Sequence, residues 1–152
     1  MDLDILQARL LQQLQAMADA LPVRPLQAVV AGRRQQALPG LPRPVDTLTF
    51  ELSFQNCRCA VGFSESVVKP GLFAFSVDFH RDGQRALFLR DWLTDRRVAG
   101  VELMRFESPA GDPRPGIDAF VRRLGELLAG PLRPLLDSEL WMAARMDWEG
   151  HR

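Results

Sequence analysis

Two places in this 152-residue chain carry side chains whose type and spacing could do chemistry. The first is Cys57-Arg58-Cys59, where two thiols lie two residues apart. The second is Ser76, Asp78 and His80, with Arg85 just beyond the Arg81-Asp82-Gly83-Gln84 turn. A thiol pair suggests redox or metal chemistry, and a histidine beside an acid suggests a general base whose carboxylate supports the imidazolium.

Spacing decides against the first. Alternate residues of a strand lie ~6.6 Å apart with parallel side chains, whereas an unstrained disulfide needs Cβ atoms ~3.8 Å apart. A zinc site needs further ligands, and besides carboxylates the chain adds only His80 and His151. Cys57 and Cys59 also fall in phase with Val61 and Phe63. The expectation is two buried free thiols, with no metal and no cofactor.

For the second, Asp78 and His80 share one face of a strand. A nucleophile would have to come from Ser76 or Ser53, and neither sits in a strand-to-helix nucleophile turn. At the lip of a tight turn, His80 is expected at the surface, as a partner contact or an ordinary polar strand residue. Other chemistries find no support. No glycine-rich phosphate loop follows a strand, and the stretch from Gly111 to Gly116 is broken by prolines. Glu102 and Glu107 are five apart on a strand and its end, hence on opposite faces, so no paired-carboxylate site is expected.

These side chains must be positioned by Leu72–Leu89. Phe73, Phe75, Val77 and Phe79 alternate with Ala74, Ser76, Asp78 and His80, the pattern of a half-buried strand. Asp82-Gly83 suits a two-residue type I′ turn. Counting outward sets His80 opposite Arg85, Phe79 opposite Ala86, Asp78 opposite Leu87 and Val77 opposite Phe88. Phe73, Phe75, Val77, Phe79, Ala86 and Phe88 then form a core face. Ser76, Asp78, His80 and Arg85 share a mixed face with Leu87 and Leu89. A longer loop would shift the pairing by one and exchange the two faces.

The rest of the chain supplies further elements. Leu3, Leu6, Leu10, Leu14, Met17 and Leu21 predict an amphipathic helix over 2–20, with Asp2 and Asp4 at its positive end. Residues 22–44, with five prolines, read as a connector. Strands are predicted at 47–54, 57–63, 72–80, 85–91 and 98–106. Gln84–Arg97 also fits a helical period through Ala86, Leu89 and Leu93, but the Asp-Gly turn argues for the strand. Helices are predicted over 117–129 and 137–149. The last of these places Trp141, Arg145 and Trp148 on one side, a combination that serves core packing or an interface hot spot.

Size and composition bound the class. The length suits a single domain spanning 1–152, able to bury roughly 70% of its unfolded surface. Nine Phe and three Trp supply apolar bulk. Nineteen basic and nineteen acidic residues cancel, so bulk electrostatics give no reason to expect nucleic-acid binding. No stretch approaches the ~20 apolar residues of a membrane span, and no secretory leader is apparent at the N-terminus. A cytoplasmic location is expected. Lys69 is the lone lysine among nineteen basic residues, a bias that fits GC-rich bacterial coding.

The elements predict an α+β two-layer domain, with an antiparallel sheet of about five strands and helices packed on its Phe face. Size and element order resemble those of small bacterial proteins that bind other proteins, such as secretion chaperones and toxin-neutralising immunity proteins. The expected function is therefore a non-catalytic protein-binding module, with self-association as one form of it. Its contacts would come from Asp78, His80 and Arg85, or from Trp141, Arg145 and Trp148. The alternatives are a small hydrophobic ligand in a Phe-lined pocket with His80 or Arg90 at the mouth, and a hydrolase-type enzyme using Asp78 and His80.

Overall fold

A computed structural model describes residues 2–108 and 110–136. The chain begins with helix α1 (Leu3–Asp19), capped by Asp2, whose side chain accepts hydrogen bonds from the Asp4 and Ile5 backbone N–H groups. Leu6, Leu10, Leu14 and Ala18 form its buried stripe. Strands β1 (Val30–Gln36), β2 (Val45–Ser53), β3 (Arg58–Glu65) and β4 (Leu72–His80) follow as an antiparallel meander. The two-residue strand β5 (Leu87–Phe88) leads directly into helix α2 (Leu89–Arg96). A 3-10 turn (Val101–Leu103), the short strand β6 (Arg105–Glu107), helix α3 (Arg114–Ala129) and a single helical turn α4 (Arg133–Leu136) complete the described chain.

The two-layer α+β arrangement follows from period-two patterning in the strands. Leu48, Phe50, Leu52 and Phe54 of β2, Cys59, Val61 and Phe63 of β3, and Phe73, Phe75, Val77 and Phe79 of β4 are all buried. The register stacks them, with Leu48 opposite Phe63, Phe63 opposite Phe75, and Cys59 opposite Phe79. The stripe of α1 and the stripe of α3 (Ile117, Phe120, Val121, Leu124, Leu127 and Leu128) join the same buried cluster. Between the two helices, Asp118 accepts hydrogen bonds from Arg9 and Gln13.

Four expectations need correction. The hairpin loop is longer by one residue: Phe79 faces Leu87 and Asp78 faces Phe88. Gly83 has φ +75° while Asp82 keeps a negative φ, so the type I′ pattern is not met. The slip exchanges the faces after the turn. Leu87 is buried and Phe88 is exposed, the reverse of the expectation, and Arg85 no longer stands opposite His80.

The strand predicted over 85–91 stops at Phe88. Continuing the register would bring Asp91 opposite Phe75, directing a carboxylate into the core. A helix instead places Leu89, Trp92 and Leu93 together on the buried side. The strand predicted over 98–106 is likewise reduced to a 3-10 turn and three residues. Arg97 (φ 55°) and Gly100 (φ 135°) hold backbone angles that no strand accommodates.

Finally, the connector over 22–44 contains β1, an edge strand whose residues are mostly exposed and so show no alternation. The predicted helix over 137–149, with Trp141, Arg145 and Trp148, lies outside the described residues.

Candidate functional site

All the described helices that pack on the sheet cover its Phe face, which leaves the other face as the candidate site. Its composition follows from the register as rows running across the strands. One row is Val30, Glu51, Ala60, Asp78 and Phe88; the next is Gly32, Thr49, Gly62 and Ser76. A third is Arg34, Thr47, Ser64, Ala74 and Arg105. Beyond the first, Ser53, Arg58 and His80 close the end that carries the turns.

The middle of this face is low. A Cβ on Gly62 would come within 2.6 Å of the Ser76 Oγ, and one on Gly32 within 2.9 Å of the Thr49 Oγ1. The hydroxyls thus lie over the glycines, and this row forms a shallow trough across four strands. One wall carries Arg34 and Arg105, the other Glu51 and Asp78. The two walls are ~13 Å apart, four residues along a strand.

Charge is distributed accordingly. Arg58 lies 3.8 Å from both the Glu51 and the Asp82 carboxylates, exposed contacts that contribute little to stability. The Asp78 carboxyl is half-buried, and burial raises its pKa above the ordinary carboxylate value, partly offset by His80 and by Arg34 three strands away.

As catalytic machinery the arrangement is poor. His80 Nε2 is 4.0 Å from Asp78 Oδ2, beyond hydrogen-bond distance. Ser76 is four residues from His80, ~13 Å along the same strand. Ser53 shares the His80 row but lies two strands away, ~9.6 Å. Neither hydroxyl is delivered to the imidazole. His80 instead borders a recess of about 320 Å³ at the turn end, with Phe54, Asn56, Arg58 and Asp82.

The thiols are free and buried on the opposite face. Burial pushes the Cys57 thiol up to about 12, with Arg81 opposing weakly. Burial also raises Cys59 well above its ordinary value, reinforced by Cys57 and Asp78. A thiolate is the reactive and metal-binding form, so neither residue is poised for that chemistry. Among the described residues, no group of three or more His, Cys, Asp or Glu side chains is placed to hold a metal ion.

No family model, curated protein or solved structure matches the chain. Among the described residues no helix is long and apolar enough to cross a membrane.

Of the residues expected at a contact surface, Asp78 and His80 lie together on this face. Arg85 is exposed beyond the turn, outside any strand, and does not join them in the register. Charged and aromatic residues of the face that escaped the sequence reading of the site are Phe88, Arg34, Arg105, Arg58 and Glu51. Glu51 had a signal, since it alternates with Phe50 and Leu52. Phe88 would have followed from a loop one residue longer.

The raised Asp78 carboxyl makes a signed prediction. Its proton is held more tightly in the folded chain than in the unfolded one. Asp78 therefore disfavours folding as pH rises from the ordinary value of 3.8 through its raised folded value. Asp78→Asn should unfold at a temperature no lower than the parent at pH 7. Any advantage should shrink as pH falls below 3.8, where Asp78 is protonated in both states. Paired thermal melts from pH 3 to pH 7 check this, and a variant less stable than the parent at pH 7 would refute it.

Proposed function

We propose that this chain is a non-catalytic protein-binding module of the bacterial cytoplasm, and that the sheet face left free by the described helices is its contact surface. The observation that carries the reading is the exposed Phe88 beside the half-buried Asp78 on an otherwise low face. An aromatic side chain 45% exposed at the edge of a polar trough is the kind of anchor that interface hot spots use.

The Phe-lined pocket is less well supported. Phe75 stacks on Phe120 with ring centroids 3.9 Å apart, and Phe63 lies 4.7 Å from Phe75. These rings occupy the space between sheet and helices that a ligand would need. The hydrolase reading suffers from the separation of His80 from both hydroxyls.

The test is retention of a partner from lysate of the source organism by the tagged chain, compared with an Asp78→Arg/Phe88→Ser variant. Phe88 is exposed and Asp78 half-buried on the same helix-free face, outside the core, so circular dichroism should be parental. The thermal midpoint is measured beside binding to separate lost contact from lost fold. A stoichiometric protein partner should be retained by the parent, with affinity about thirtyfold or more lower in the variant. Equal retention by both would overturn the surface assignment. A small molecule co-purifying in place of any protein would overturn the module reading.

A further inference from the structure

The outer edge of β1 is a second surface, adjoining the open face at Arg34, and its hydrogen-bonding state follows from the ladder. Phe75 donates its N–H to the Met104 carbonyl at 2.7 Å, on the side of β4 away from β3. Backbone groups alternate sides along a strand, so Ser76 turns toward β3 and bonds with Gly62. Carrying the alternation across, Phe63 and Val61 turn toward β2, while Thr47, Thr49 and Glu51 turn toward β1. Two contacts agree. The Ser53 carbonyl accepts from the Leu26 N–H, and the Val29 N–H donates outward to Gln15 Oε1 at 2.8 Å.

In β1 it is therefore Ala31, Arg33 and Gln35 that aim N–H and C=O away from the sheet. Among the described residues, no hydrogen bond outside the ladder reaches those six groups. From the helix beneath, Gln15 accepts from the outward Val29 N–H, and Gln7 donates to the Gly32 carbonyl, which turns toward β2. Asp4 pairs with the Arg33 side chain, so none of them occupies the six outward backbone groups.

Side chains along this edge define what could pair with it. Leu26 (68% exposed), Val30 (53%) and Leu38 (42%) flank it and are three of the six large apolar side chains exposed among the described residues. Its centre is basic, with Arg33 and Arg34 and no acid within the strand. Arg33 is already paired with Asp4 of α1. Among the described residues Arg34 makes no ion pair within 4.0 Å, although its charge acts on Asp78, and it lies on the open-face side of the strand.

A second copy is a poor occupant. Antiparallel self-pairing that aligns the outward groups most fully sets Arg33 against Arg33. Slipping two residues one way makes the two Arg33 residues diagonal neighbours, and slipping the other way sets Arg34 against Arg34. Like charges directly opposite are destabilising, and charge on an edge is a recognised guard against self-association.

From these observations we propose that the β1 edge accepts an extended acidic segment of a partner protein by strand addition. The segment would place a carboxylate beside Arg34 and apolar residues against Leu26, Val30 and Leu38. Main-chain hydrogen bonds to Ala31, Arg33 and Gln35 supply the affinity, and the charge supplies the selection.

The test uses the full chain and a fluorescein-labelled nonapeptide of alternating valine and glutamate with a leucine at each end. A second peptide has lysine in place of glutamate. Anisotropy should show binding of the glutamate peptide, with the lysine peptide about tenfold or more weaker. Hydrogen exchange should slow at the Ala31, Arg33 and Gln35 amides when the glutamate peptide is added. Arg34→Glu should reverse the preference. Ala31→Pro removes one outward N–H while leaving the bonds to β2 in place. It should weaken binding by about tenfold with the thermal midpoint held. Indifference to peptide charge, no binding of either peptide, or protection confined to the open face would each overturn the proposal. Concentration-dependent protection of the same amides without peptide would assign the edge to a second copy and overturn it too. Should Ala31→Pro fail to fold, the reversal by Arg34→Glu still decides. Of these readouts only Arg34→Glu touches the open face. Peptide charge preference, amide protection at the edge and Ala31→Pro do not involve Asp78 or Phe88, so their failure leaves the open-face reading standing.

Discussion

Phe75→Ala should be the most damaging single truncation, lowering stability by about 3–5 kcal/mol. The Phe75 ring lies nearly parallel to that of Phe120 (10°) with centroids 3.9 Å apart, and is 4.7 Å from Phe63 and 6.3 Å from Phe106. It is thus the ring through which β4 touches β3, β6 and α3 together. Removing it leaves a void bordered by three other rings, each held by its own backbone element, so collapse can recover little of the lost contact. Against a total stability of roughly 5–15 kcal/mol for a domain, the variant should melt about 10 °C or more below the parent. Phe88→Ala is the matched control. The same side chain is lost from an exposed site, and the change should stay within about 0.5 kcal/mol. Urea unfolding of the two variants decides the matter. A Phe75→Ala loss below about 1 kcal/mol would mean that this stack is not the junction of the two layers.

That contrast between two phenylalanines also marks how far the sequence could be read. Strands β2, β3 and β4 were legible because each alternates apolar with polar residues and is buried on one side only. Helices α1 and α3 were legible from stripes at spacings of three and four. Reading failed where one residue decides. Asp82-Gly83 invited a two-residue turn, but only Gly83 takes a positive φ, and that difference moved Phe88 from core to surface and Leu87 the other way. The choice between strand and helix after Phe88 depended on Asp91, whose position opposite Phe75 became apparent only with the true register. β1 was hidden for a different reason. VAGRRQQ has one hydrogen-bonded neighbour and a mostly exposed surface, so burial imposes no period upon it. The candidate site shows the same division. Asp78 and His80 were placed correctly on one strand, whereas Arg34, Arg58 and Glu51 joined them through cross-strand pairing, which leaves little trace in local sequence.

Gly116→Ala should lower stability by about 1–3 kcal/mol, against the usual sense of that substitution. Inside a helix, alanine is favoured over glycine by about 1 kcal/mol, and Gly116 lies in the first turn of α3, beside Pro115. Here the helix backbone lies directly on an aromatic ring. A Cβ would come 2.3, 2.5 and 2.6 Å from three carbons of Phe106. That ring is also held by stacking on Phe73 at a centroid distance of 5.6 Å, which limits its retreat. Glycine is therefore required here for close approach. The backbone angle makes no such demand, because among the described residues the positive-φ glycines are elsewhere. A double-mutant cycle separates the two effects. In a Phe106→Ala background the obstruction is gone, and Gly116→Ala should become stabilising by roughly 0.5–1 kcal/mol, recovering its helical preference. A change of sign between the two backgrounds would establish that α3 is seated on β6 through this one contact. The same loss in both backgrounds would place the cost in the helix start itself, and the docking of α3 would have to rest on its apolar stripe alone.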